Sequence, residues 1–130
     1  MHPAVGNLDG DERAEIVFGL GPGSRGWVHI RNDQVAGFGN LPGTPAAGGW
    51  LQLGWAAYQS ANGTTWPAVG DLDGDGASEL IVGFGTYTAA GGYLEVFNDL
   101  TDGLTHRTWA RVPWAAYNGA NGLARPAVSR

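Results

Sequence analysis

Hydrophobic and polar positions along the chain follow the spacing of strands. Glu15-Ile-Val-Phe18 and Glu79-Leu-Ile-Val82 are short apolar runs closed by glycine, the pattern of strands covered on both faces. Tyr93-Leu-Glu-Val-Phe97 alternates instead, with Leu94 and Val96 on one face and Tyr93, Glu95 and Phe97 on the other. Trp27-Val-His-Ile-Arg31 brings Val28 and Ile30 together in the same way. With Pro3-Ala-Val-Gly6 or Pro67-Ala-Val-Gly70 in front and a tryptophan-bearing strand near 50 or 109 behind, each half of the chain predicts about four strands. No segment shows a helical period. The stretches from Ala56 to Gly63 and from Ala115 to Gly122 both end in Asn-Gly, and they predict the crossings from one unit to the next.

The same pattern is written twice. Pro3-Ala-Val-Gly-Asn-Leu-Asp-Gly-Asp-Glu-Arg-Ala-Glu15 returns as Pro67-Ala-Val-Gly-Asp-Leu-Asp-Gly-Asp-Gly-Ala-Ser-Glu79. Gly26 to Asp33 matches Gly92 to Asp99, and Trp50 to Tyr58 matches Trp109 to Tyr117, in the same order. Pro3 and Pro67 stand 64 residues apart and Pro67 and Pro126 stand 59 apart, while Trp50 to Pro67 and Trp109 to Pro126 both span 17. The length difference therefore falls in the connections after Gly19/Gly83 and after Asp33/Asp99, where surface loops absorb insertions. The expected units are residues 1–66 and 67–125, with residues 126–130 opening a third copy at Pro126-Ala-Val128.

Composition narrows the function classes. A content of 43% hydrophobic residues with six tryptophans points to a packed, turn-rich protein despite 23 glycines. Cysteine is absent, which removes disulfides and thiolate-metal chemistry. No apolar run approaches 18 residues, so no membrane span is expected. All seven basic residues are scattered arginines, and without a basic cluster nucleic acid is not an expected partner. Of the twelve acids behind the net charge of −5, eight lie in the two repeated loops (Asp9, Asp11, Glu12, Glu15, Asp71, Asp73, Asp75 and Glu79).

Those loops carry the chemistry. An acid or asparagine at positions 1, 3, 5 and 9, with glycines between, lets one short turn wrap hard oxygens around a cation. Clustered carboxylates repel one another without a cation, which favours calcium over a pair of solvated Asp-Gly turns. An EF-hand also has glycine at the position of Gly76. Its twelfth position would be Val82, however, where a bidentate glutamate is needed, and the flanks read as strands.

Asp71-Leu-Asp-Gly-Asp-Gly-Ala-Ser-Glu79 followed by Leu-Ile-Val-Gly-Phe-Gly85 resembles the FG-GAP (VCBS-type) repeat of integrin-α-like β-propellers, and both halves of the chain share the likeness. The resemblance implies an all-β fold of four-stranded propeller blades, two per chain, with a calcium loop joining the first two strands of each. Carried over by position, it implies ligands at Asp71, Asp73, Asp75 and Glu79 with the Ala77 carbonyl. In the first repeat the corresponding set is Asn7, Asp9, Asp11 and Glu15 with the Arg13 carbonyl. The first loop departs from the pattern at Asn7 and at Glu12, which occupies the place where Gly76 accepts a positive φ without strain; lower affinity is expected there. Calcium of this kind suits an extracellular or secreted protein.

Other residues read as structural. His2, His29 and His106 are isolated, Glu95 reads as a rim charge, and Gly19-Leu-Gly-Pro-Gly23 lacks the lysine and helix of a phosphate loop. No serine sits in a Gly-x-Ser-x-Gly elbow, and no catalytic constellation is expected. Trp27, Trp50, Trp55, Trp66, Trp109 and Trp114 recur mostly at matched places and suit packing between units; the alternative is a sugar site, since flat aromatic rings stack on pyranose faces. Val82-Gly-Phe-Gly85, Ala47-Gly-Gly-Trp50 and Ile30-Arg-Asn-Asp33 also look like pieces of fungal propeller lectins, which makes a glycan the alternative ligand. Two blades form an open wedge, and a ring needs at least about four. Closure is therefore expected from three or four copies joined head to tail, with the strand at Pro126 either exchanged into a neighbour or left over from a longer array.

Overall fold

In the computed structural model, which describes residues 1–87 and 91–128, the chain folds into two four-stranded antiparallel sheets of sequential order. The first holds β1 (His2–Gly6), β2 (Glu15–Gly19), β3 (Trp27–Arg31) and β4 (Trp50–Gln52); the second holds β5 (Thr65–Gly70), β6 (Glu79–Phe84), β7 (Tyr93–Phe97) and β8 (His106–Arg111). The registers repeat: Gly6 pairs with Glu15 and Val5 with Ile16, as Gly70 pairs with Glu79 and Val69 with Leu80. The acidic loop thus closes the β1–β2 hairpin in one sheet and the β5–β6 hairpin in the other.

Six-residue helices fill the two crossings, α1 (Ala56–Ala61) and α2 (Ala115–Ala120), where no helix was expected. Six residues are too few to display a 3.6-residue period, and a helix this short depends on tertiary contacts. For α1 the anchor is Tyr58, fully buried against Phe84 at 4.4 Å and nearly parallel to it. Asn62 then accepts the Thr64 amide (3.0 Å) and turns the chain into β5.

The sheets pack face to face through their inner strands. A side chain at Gly6 would collide with Val69, and one at Gly19 with the Thr65 carbonyl and the Pro67 ring, so glycine permits the approach. Thr65, fully buried, donates its amide to the Leu20 carbonyl (2.9 Å) and accepts the Leu20 amide on its hydroxyl (2.7 Å). The core runs through this seam and includes Leu8, Val17, Ile30, Tyr58, Leu80, Phe84 and Leu104.

Coverage differs between the repeats. All six residues of β6 are buried, as expected for a strand covered on both faces. β2 alternates between buried and half-buried instead, because the second sheet covers just one of its faces. Glu95 is buried, contrary to the expectation of a rim charge. It accepts the Gly54 amide (2.9 Å) from the other repeat and pairs with His106 Nδ1 (2.7 Å). Residues 124–128 follow α2 onto the second sheet, the Ala124 amide donating to the Phe84 carbonyl at 2.9 Å; the last two residues of the expected third unit, 129 and 130, lie outside the described residues. Among the described residues no helix is long and apolar enough to cross a membrane.

Candidate metal centres

Two groups of acidic side chains gather where the sequence placed them. In the second repeat Asp71, Asp73, Asp75 and Glu79 each bring a carboxylate oxygen within 4.8 Å of the others. In the first, Asp9, Asp11 and Glu15 do the same and are joined by Asp33. The three aspartates of the second loop are exposed and Glu79 is buried, so the cluster is open to water on one side and anchored in the core on the other.

The turn is shaped by its own carboxylates. Asp71 Oδ1 accepts the Gly74 amide (2.7 Å) and Oδ2 the Gly76 amide (2.9 Å), while Asp75 Oδ1 accepts the Ala77 amide (2.9 Å). In the first loop Asn7 Oδ1 accepts Gly10 (2.9 Å) and Asp11 Oδ1 accepts Arg13 (2.8 Å). The Arg13 and Ala77 carbonyls accept no hydrogen bond among the described residues. Asn7 Nδ2 points across to the Gly76 carbonyl (3.5 Å), a contact a carboxylate cannot make as a donor, and the Ser78 amide donates to the Asn7 backbone carbonyl (2.6 Å). Glu12 adopts φ 71°, matching Gly76 at 91°, so the strain expected at this position is present.

Glu15 and Glu79 are the unusual members. Both are fully buried, and each gives Oε2 to a loop amide at 2.6 Å, Leu8 and Leu72 respectively. The second oxygen of each, Oε1, is buried without any hydrogen-bond partner. Burial, followed by the negative charges of Asp9 and Asp11, pushes Glu15 up to about 7; burial, followed by Asp73 and Asp75, raises Glu79. Burial also raises Asp9. At Asp75 the amide of Ala77 pulls down, but burial and the charges of Asp73 and Asp99 outweigh it and the group is raised. A bound cation would relieve all of these together, because it satisfies the orphaned oxygens and offsets the repulsion.

Asp33 and Asp99 were not picked out from the sequence as members of these sites. They lie at matched places beyond β3 and β7, and the topology returns them to the loops. Asp33 completes the first cluster while accepting the Ala36 amide (3.1 Å). Asp99 faces Asp75 but is engaged by the Thr101 amide (2.9 Å) and hydroxyl as the cap of a 3-10 turn at Leu100–Asp102. The repeated Asn-Asp pair at 32–33 and 98–99 was the available signal. The second cluster has its own cationic neighbour, Arg107, whose Nη1 lies 3.0 Å from Asp73 Oδ2 and holds Asp73 below the usual carboxylate range. Gly48 stands at the matching place in the first repeat.

The aromatic residues form a second feature. Trp55, Tyr93, Trp109 and Gly54 line a cavity of about 280 Å³ between the repeats, with Arg111 stacked over Tyr93 at 4.6 Å. No protein-family model matches the chain, and no curated protein or solved structure matches it either.

Proposed function

We propose that the chain is a non-enzymatic calcium-binding β-propeller module that holds one cation in each loop and joins copies of itself head to tail into a closed ring, serving as a scaffold or recognition surface. The observation that carries the reading is the pair Glu15 and Glu79: each leaves a fully buried carboxylate oxygen without a partner beside three further carboxylates, Asp9, Asp11 and Asp33 in the first cluster and Asp71, Asp73 and Asp75 in the second. Calcium fits this donor set because it takes about 6–8 hard oxygens in flexible geometry, and the free Arg13 and Ala77 carbonyls can add to the carboxylates. Extracellular modules bind calcium at about 10⁻⁴–10⁻³ M, and a secreted location is part of the proposal.

The test is thermal unfolding with calcium and with chelator, together with native mass spectrometry in a calcium-containing volatile buffer. The reading expects a higher melting midpoint with calcium, about two ions per chain, and three or four chains per particle. A midpoint that ignores calcium would remove the metal from the proposal.

A second reading is carbohydrate binding in the cavity between the repeats. Trp55 stands edge-on to both Tyr93 (89°) and Trp109 (80°), which leaves a walled aromatic slot beside the Glu95–His106 pair. A glycan array probed with the chain and with Trp109→Ala checks it; the same signals from both would reject it.

A further inference from the structure

The seam inside the chain describes a second seam that the two outer faces would form. Trp55 reaches from the first repeat onto the second and lies 5.7 Å from Phe84, 5.5 Å from Tyr93 and 6.3 Å from Trp109, ring centre to ring centre. Its counterpart Trp114 is 63% exposed, and its aromatic neighbour among the described residues is Tyr117 of its own helix. The receiving residues also have counterparts. Leu20, Trp27 and Trp50 match Phe84, Tyr93 and Trp109, and they line an open groove of about 420 Å³ with Ser24, Ala46 and Ala47. Trp27 and Trp50 meet edge to face at 6.0 Å and 83°, as Tyr93 and Trp109 do at 6.3 Å and 82°. The groove therefore has the shape of the internal pocket without its Trp55 wall.

Resting on the ring reading above, we propose that Trp114 of one copy docks into the Trp27–Trp50 groove of a second copy of this chain, continuing the internal seam from molecule to molecule. Two further matched sets agree. Leu8 and Leu104 are buried in the internal seam, whereas their counterparts Leu72 and Phe38 are 52% and 48% exposed, one on each outer face. Phe38 and Leu104 even share the left-handed φ of 53°, and their amides donate to the Asp33 and Asp99 carbonyls. Across the internal seam Gly54 donates its amide to Glu95. On the outer faces these positions are Pro113 and His29: the donor and the carboxylate are lost together, so at this place the new seam leaves neither an unpaired amide nor an unpaired carboxylate.

One place is contested. Val128 lies against Gly70 as Val69 lies against Gly6, so residues 124–128 hold the inner seat that Pro3-Ala4-Val5 of the next copy would take. Docking exchanges one Pro-Ala-Val segment for another of the same sequence.

Sedimentation velocity of the whole chain in calcium, over a wide concentration range, tests the proposal with Trp114→Asp, Trp50→Asp and Val128→Asp. The wild type should form a closed oligomer. Trp114→Asp and Trp50→Asp should each associate about 30-fold more weakly or worse, as expected for a central tryptophan, and mixing the two should restore a heterodimer through the one intact pair of faces. Val128→Asp, which loosens the hold of the tail on Gly70, should assemble at least as well as the wild type. Assembly of Trp114→Asp at wild-type strength would overturn the docking while leaving the ring reading in place. Wild type and Val128→Asp both monomeric at every concentration would overturn the ring and the docking together, with the calcium reading judged separately by melting.

Discussion

The Gly85 amide of the second repeat donates to the Tyr58 hydroxyl of the first at 2.5 Å, and the same hydroxyl donates to the Thr64 carbonyl at 2.5 Å. One fully buried atom therefore joins the middle of α1 to the residue before β5 and the residue after β6. Burial pushes the phenol up to about 12, despite the Gly85 bond, so it remains a donor at any ordinary pH. Tyr58→Phe leaves two buried backbone groups unpaired while keeping the ring stacked on Phe84, and it should cost about 1–3 kcal/mol. Urea unfolding measures this; a loss within error would mean water replaces the hydroxyl.

Glu79→Gln should reverse its effect with calcium. Without the ion, a neutral amide in place of the buried carboxylate removes the charge that burial, Asp73 and Asp75 disfavour, and should raise stability at neutral pH. With calcium the variant should bind about tenfold more weakly at the second loop and gain less in its melting midpoint. Paired melts in chelator and in calcium show whether the curves cross.

The metal-free chain should lose stability as pH rises from about 4.5 to 7. Glu15 sits at about 7 in the folded state against an ordinary 4.5, so in that window the folded chain binds more protons than the unfolded one, and its stability falls with rising pH. Glu79 is shifted in the same direction. Bound calcium needs both groups deprotonated, so the slope should change sign when the ion is added. A pH series of melting midpoints in each condition supplies both slopes.

Much of this was legible in the sequence, and the gaps have physical reasons. Strand positions follow from the two-residue alternation of Tyr93–Phe97 and the apolar runs at Ile16 and Leu80, because side-chain direction along a strand is a local property. Glu95 was misread because its burial depends on Gly54, 41 residues away, and on His106. Asp33 and Asp99 escaped for a similar reason: β3 and β7 return them to the loops, and no spacing rule within a loop contains that return. The short helices α1 and α2 gave no period to read.

Glu12→Gly should stabilise the chain by about 0.5–1 kcal/mol, since glycine relieves the left-handed backbone at φ 71° while giving back some unfolded-state entropy. Denaturant midpoints suffice, and a destabilised variant would show that the Glu12 side chain has a favourable role of its own.

Arg107→Ala should strengthen calcium binding at the second loop by about two- to fivefold. The Arg107–Asp73 pair lies at the surface, screened by solvent, and an incoming cation must displace it. Titration calorimetry of the variant beside the wild type checks the direction; an unchanged constant would mean the arginine moves aside at no cost.

Leu8 makes the first loop part of a lever. Its amide is held by Glu15, its carbonyl accepts the Leu100 amide at 2.9 Å, and its side chain is buried in the seam, so whatever orders that hairpin tip also tightens the joint between the sheets. Leu72 has the same grip on Glu79, but its side chain projects into solvent. Two loops of nearly one sequence thereby differ in kind: tension in the first is transmitted within the molecule, and the second holds a free handle at its edge.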